Sequence, residues 1–238
     1  MESAKRAATH ATNRAKITAT ARVLVARDGA AALSLREVAR EMGQTSSALY
    51  RYFTNRDELL TALIIDAYND LGASVEVAES VVPRDDRRQR WRVGSLAARA
   101  WAKAHPHEYG LIFGTPVPGY VAPEATIAAA TRITKVLATI VDDAYEGHVP
   151  TTDEVVERTL EWPLVSTVMP CVPPSVTVRA IIAWTQLFGA ISFEIFGHYE
   201  GIVRDLDLMF AATIEEMADL VGLPTGLRER ATLDASPV

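Results

Sequence analysis

The most constraining feature of the chain is the twenty-residue run Ser34 to Phe53, SLREVAREMGQTSSALYRYF. Two short apolar-patterned segments meet there at Gly43. Ser34-Leu35-Arg36-Glu37 has the form of a capping box: the Ser34 hydroxyl accepts the amide of Glu37, and the Glu37 carboxylate reaches back. The helix it opens runs to Met42 and stops at Gly43, where a tight turn favours a residue that tolerates positive φ. Thr45 is placed to cap a further short helix through Tyr52. Val38, Met42, Leu49 and Phe53 supply an apolar inner face, and Ala39 is small where the two helices cross. With Leu49 and Phe53 inward, a step of about 100° per residue turns Ser47, Tyr50 and Arg51 outward. Hydroxyls, a phenol and a guanidinium all donate to phosphates or base edges. The layout predicts a helix-turn-helix, whose second helix enters the major groove of DNA.

The flanking residues complete a head. Ile17, Ala21, Leu24 and Val25 recur at helical spacing, and Asp28-Gly29 ends that first helix. Thr54-Asn55-Arg56-Asp57 caps a long fourth helix carrying Leu59, Leu60, Leu63, Ile64 and Tyr68. Charge separates the same segment from the rest. Residues 1–56 hold ten Lys/Arg against four Asp/Glu, a net of +6, while the remainder is −12, giving −6 overall. A basic head on an acidic body is the footprint of a polyanion-binding module joined to a domain with another task. Arg56, in the first turn of the fourth helix, is expected to share a phosphate with the free amides of the helix end. Lys5 and Arg6, with Arg14 in the first helix, are expected to reach an adjacent groove or backbone.

On these residues the chain resembles the tetracycline-repressor (TetR) family of bacterial transcription regulators. The likeness is densest in SLREVAREMGQTSSALYRYFTNRDELL, residues 34–60, with the Gly-x-x-x-x-x-Leu-Tyr-x-x-Phe spacing from Gly43 to Phe53. It implies that Ser34, Thr45, Ser46, Ser47, Tyr50, Tyr52 and Arg56 occupy DNA-facing positions. Gln44 stands where the family has an aliphatic residue, and Tyr52 replaces a common histidine. Either a shifted turn or an added base contact follows from Gln44. HPHEYGLIFGTPVPGYVAP, residues 105–123, resembles a segment of one subgroup of the family's C-terminal regulatory domains. Such domains bind small effectors and form homodimers, and their proteins are mostly repressors that a ligand releases from the operator. The resemblance supplies no effector.

The expected fold is all-α: a three-helix DNA-binding head over 1–56, joined through the long fourth helix to a helical ligand-binding and dimerisation domain over 57–222, with a loosely ordered tail over 223–238. Helices are expected over about 84–104, in a short stretch opened by Pro106, from Pro123 to about Tyr145, and from Thr151 or Thr152, with a kink or stop at Pro163, as far as the Pro-rich run 169–174. Two more span about 175–199 and 204–221. The first of these two is apolar nearly all round and must be buried on both sides. Either a large monomeric core or a second subunit can cover it. Two such helices per subunit predict a four-helix bundle about a twofold axis, with Val178, Ile181, Ile182, Ile195, Phe196, Met209, Phe210, Thr213 and Met217 at the interface. Trp101, His105, Tyr109, Phe113, Trp162, Met169, Trp184 and Phe188 are the candidates for a mostly apolar effector pocket, core packing being the default for each. Glu194 either pairs across the interface or lines that cavity.

Other chemistries are disfavoured. A 49% apolar composition is ample for a core, and a single cysteine, Cys171, excludes an intramolecular disulfide and a multi-cysteine zinc site. His105 and His107 have no third ligand at helical spacing, so no metal is expected, and no cofactor. The chain lacks the phosphate-loop, nucleophile-elbow and His-Glu-x-x-His patterns, which argues against an enzyme with a helical active site. No signal peptide or membrane span is expected, and the basic residues do not face a broad apolar surface as a membrane-surface helix requires. The expected partners are therefore duplex operator DNA, a second copy of the chain and a small effector, in the cytoplasm and on the nucleoid when bound. A DNA-binding regulator with no small ligand, governed by a protein partner or by concentration, is the other reading.

Overall fold

The computed structural model describes residues 2–145, 158 and 169–224. The helix expected after Thr151, with Trp162, and the tail from 225 onward lie outside the described residues. Among those described, every regular element is helical. The chain divides into two compact units, residues 1–70 with 105–130, and residues 71–104 with 131–238.

The first unit begins with α1 (Glu2–Asp28), a 3-10 turn (Ala30–Ala32), α2 (Leu35–Glu41), α3 (Ser46–Leu49) and the start of α4 (Arg56–Ser80). Ile17, Leu24, Leu35, Val38, Leu49, Phe53, Leu59, Leu60 and Leu63 form its core. Burying side chains of this size contributes about 1.5–3 kcal/mol each, which is what holds helices too short to stand alone. The Ser34 hydroxyl accepts the Glu37 amide at 3.2 Å, as the capping box requires. The Glu37 carboxylate does not complete the box: it accepts from Arg40 and lies 3.5 Å from Arg27. At the other end Gly43 adopts φ 63°, and the Gly43 and Gln44 amides close on the carbonyls of Arg40 (3.1 Å) and Ala39 (2.9 Å). This paired closure is a Schellman stop, so Gln44 leaves the turn intact.

Two expected caps are rearranged. Thr45 does not cap α3 with its side chain; its hydroxyl pairs with that of Ser47 at 3.0 Å. α3 ends at Leu49, and a turn carries the chain to Phe53. α4 is opened by Asn55, whose Oδ1 accepts the Glu58 amide at 2.8 Å, while the Glu58 carboxylate accepts the Thr54 amide at 2.7 Å.

The first unit also holds α6 (Pro106–Phe113) and the segment after it. Pro106 sits at the first helical position, as expected for a residue without an amide donor. Leu111, Ile112, Val117 and Tyr120 pack on the head core. The Tyr68 hydroxyl donates to the Ile112 carbonyl at 3.2 Å, and the Tyr120 hydroxyl pairs with Thr61 at 2.9 Å. The turn-rich stretch after Phe113 is thus fastened to α4.

The second unit contains the remainder of α4, α5 (Arg87–Ala104), most of α7 (Ile127–Ala144), α8 (Pro174–Ile195) and α9 (Leu206–Leu220). α8 and α9 pack together, and each packs on α5. α5 buries arginines as well as tryptophans. The Trp91 indole donates to the Ile214 carbonyl at 3.0 Å, and Arg88 meets Glu215 at 2.8 Å and Asp219 at 2.7 Å. Gly72 on α4 faces Arg132 on α7 so closely that a Cβ there would lie 2.8 Å from the Arg132 Cβ. α8, at 22 residues, stops at Ile195, short of the expected 199, and is long and apolar enough to cross a membrane. In this fold it is a core helix, burying Val178, Ala183, Leu187, Phe188 and Ile191.

Candidate nucleic-acid interface

The exposed face of α3 is the one expected. Leu49 and Phe53 are buried, while Thr45, Ser47, Tyr50 and Arg51 are exposed, Tyr50 by 48%. Arg51 meets no carboxylate among the described residues, so its donors face outward. Ser46 is half-buried, and Ser34 is occupied as the α2 cap. Lys5 and Arg6 are exposed in the first two turns of α1.

Three residues expected at the interface are directed inward. Arg56 donates from Nε to the Leu33 carbonyl at 3.0 Å and from Nη2 to those of Ala30 (3.0 Å) and Ala31 (3.3 Å). The Ala30 carbonyl also accepts the Leu33 amide within the 3-10 turn, at 3.3 Å, and a planar guanidinium reaches several such carbonyls at once. Arg14 lies 3.9 Å above the Phe53 ring and donates to the Tyr52 carbonyl and to Glu58. The Tyr52 hydroxyl accepts from Asn13 at 2.8 Å, and its ring lies against His10, 4.8 Å between centroids. These side chains brace α1 against the α3–α4 junction. The Thr54 amide, the Thr54 hydroxyl and Arg14 together hold the Glu58 carboxyl below its ordinary value against the cost of burial.

The helices assigned to self-association are rotated from expectation. Val178, Phe210 and Thr213 are buried within the chain and belong to its core. Ile181, Ile182, Phe196 and Met209 are exposed, Ile195 and Met217 half-buried. Phe193, 50% exposed, and Leu208, 69% exposed, join the apolar surface in addition to the residues expected there. Glu194 is held by its own chain. Arg99 donates to it from Nε at 2.6 Å and Nη2 at 2.8 Å, and Lys103 lies 2.9 Å away. Burial would raise the Glu194 carboxyl, but the bonds from Arg99 and Lys103 prevail and leave it below its ordinary value.

The pocket candidates divide between the units. In the first, Tyr109 is buried with its ring 5.1 Å from Phe113, Phe113 meets Tyr68 edge-on at 6.0 Å, and His105 is exposed at the start of α6. In the second, Trp101 and Met169 are buried, and Trp184 lies 5.6 Å from Phe188. The Trp184 indole nitrogen is buried without a hydrogen-bond partner among the described residues. Cys171 is exposed, and hydrogen bonding to Asp142 pushes its thiol up, away from the reactive thiolate.

An all-helical fold in which α3 and the turn after it offer Ser47, Tyr50 and Arg51 to solvent from a basic head is that of a helix-turn-helix DNA-binding regulator. Residues 17–63 match the family model described as bacterial regulatory proteins, tetR family, and residues 91–217 match the tetracyclin repressor-like C-terminal domain. The chain belongs to the tetracycline-repressor family of transcriptional regulators. It is 37% identical over 176 residues to the HTH-type transcriptional regulator Rv1816 of Mycobacterium tuberculosis, covering 72% of this chain and 75% of the relative, with the same figures for Mb1846 of Mycobacterium bovis. Among solved structures, SCO4313, which carries the description of a regulatory protein, is 33% identical with a TM-score of 0.74, covering 89% of this chain and 97% of that one. A protein of unknown function from Rhodococcus sp. RHA1 shares the fold at 23% identity and a TM-score of 0.66, covering 89% and 95%.

Proposed function

We propose that the protein is a homodimeric repressor that binds a palindromic operator through residues 1–56 and is released when a small apolar molecule enters the helical part, residues 57–222. The observation that carries the DNA-binding reading is the solvent-facing row Thr45, Ser47, Tyr50 and Arg51, on α3 and the turns that flank it, opposite the buried Leu49 and Phe53. Lys5 and Arg6 supply backbone contacts, which provide most of the affinity, and the α3 side chains provide the sequence readout. Phe193, Phe196, Leu208 and Met209 support the dimer, because large apolar side chains so exposed on two neighbouring helices mark an interaction surface. A twofold dimer matches half-sites about 34–36 Å apart. The buried Trp184 indole nitrogen, without a partner among the described residues, supports a ligand in the helical part, since an unsatisfied donor of this kind costs about 1–3 kcal/mol.

The test is light scattering on the purified chain together with fluorescence anisotropy on the DNA upstream of its own gene. A dimer whose affinity falls steeply with salt is the expected result. A strictly monomeric chain that ignores DNA in dilute buffer overturns the reading. Release is tested by titrating 1-decanol, as a first apolar probe, into the protein–DNA complex.

A further inference from the structure

A cavity of about 230 Å³ in the second unit is walled by α4, the start of α5 and α7, and its lining is charged rather than apolar. Glu76 and Glu79 come from α4, Arg84 and Arg90 from the approach to α5 and its first turn, and Arg132 and Lys135 from α7. Their pairing can be followed bond by bond. Arg132 grips Glu76 with two donors, at 2.9 Å and 2.5 Å. Arg90, only 1% exposed, holds Glu79 and reaches Asp143 at 2.8 Å. Arg84 approaches the same Asp143 oxygen at 2.9 Å. Three carboxylates thus answer three arginines, and Lys135 meets no carboxylate among the described residues.

The cavity therefore carries one positive charge beyond its internal pairs, on the exposed Lys135, beside the buried guanidinium of Arg90. Asp143 is doubly served, so Arg84, itself largely exposed, can turn toward an occupant while Arg90 keeps the carboxylate. We propose that this cavity binds a small organic anion, held by its carboxylate or phosphate against Lys135 and Arg84, with Val136 as the apolar contact. The volume is below the roughly 300–1,000 Å³ of sites for drug-sized ligands, so the occupant is of metabolite size. The site is separate from the apolar pocket candidates and stands whether or not the chain binds DNA.

Isothermal titration calorimetry on the full chain at fixed ionic strength tests this with three probes: succinate, inorganic phosphate and the uncharged succinamide. Saturable binding of either anion, one per chain, with none of succinamide, is the expected result; which anion binds assigns the head group. Lys135→Glu, at an exposed position, weakens that binding by about tenfold or more, and Arg84→Ala weakens it in the same direction. The proposal is overturned by wild-type protein that takes up neither anion, by equal uptake of succinamide, or by an affinity that Lys135→Glu leaves unchanged.

Discussion

Arg99 on α5 and Glu194 on α8 form a two-pronged ion pair in which both side chains are only 8% exposed. Arg99 also reaches Asp207 at the start of α9 (2.8 Å) and lies over the Phe210 ring. One guanidinium thereby fixes the end of α8 and the beginning of α9, next to the exposed Phe193, Phe196, Leu208 and Met209. Glu194→Gln leaves the buried cation with its weaker, exposed partner and is expected to cost about 3 kcal/mol in urea unfolding. Replacing both partners, as Arg99→Met with Glu194→Leu, recovers most of that loss. The folded carboxyl is held below its ordinary value, so the contribution is complete at neutral pH and declines as acid titrates the folded group. The difference between wild type and Glu194→Gln narrows accordingly on acidification.

Gly72 lets α4 and α7 approach side by side. Gly72→Ala forces an approach of 2.8 Å on the Arg132 Cβ, which is anchored to its own backbone and cannot swing away. The helices must separate, and a loss of about 1–3 kcal/mol is expected by thermal unfolding. An unchanged melting temperature would show that α7 shifts freely.

Two arginines in the head have opposite expected phenotypes. Arg51→Ala removes an outward-facing cation, so DNA affinity falls and the slope of log K against log salt drops by about 0.9 for each phosphate that is no longer neutralised. Arg56→Ala removes donors to three carbonyls and is expected to lower the stability of the protein by about 1–3 kcal/mol. Its salt slope stays that of wild type when measured well below the melting temperature.

Phe193→Asp places a carboxylate on the exposed apolar face of α8. Each phenylalanine covered in a dimer contributes about 1.5–3 kcal/mol, and twofold symmetry counts the change twice. Sedimentation or light scattering should show the proposed dimer dissociating at concentrations where wild type is expected to remain associated, while the helical circular dichroism of each chain is retained.

The head is legible in the sequence because its determinants are local. The Ser34 cap, the Gly43 stop and the inward pair Leu49 and Phe53 each depend on residues three or four positions away. The destinations of Arg14, Tyr52 and Arg56 are not local: Arg56 finds its acceptors in a turn 23 to 26 positions earlier. α8 and α9 show a different limit. Their apolar residues run round both faces, so periodicity cannot say which side meets the chain's own core. Phe210 and Thr213 turn in, and Phe193 and Leu208 turn out. Aromatic size likewise cannot reveal that Tyr109 and Trp101 belong to separate compact units.

The fork of Arg56 recognises main-chain oxygens in the turn after α1, and main-chain oxygens are supplied by every amino acid. The alanines at 30 and 31 are therefore free to drift over evolutionary time without slackening the latch. Position 56 has no such latitude, because lysine offers a point charge in place of a planar fork and spans fewer acceptors at once. Sequence variation among head variants of this design should pool in the turn and spare the arginine that reads it.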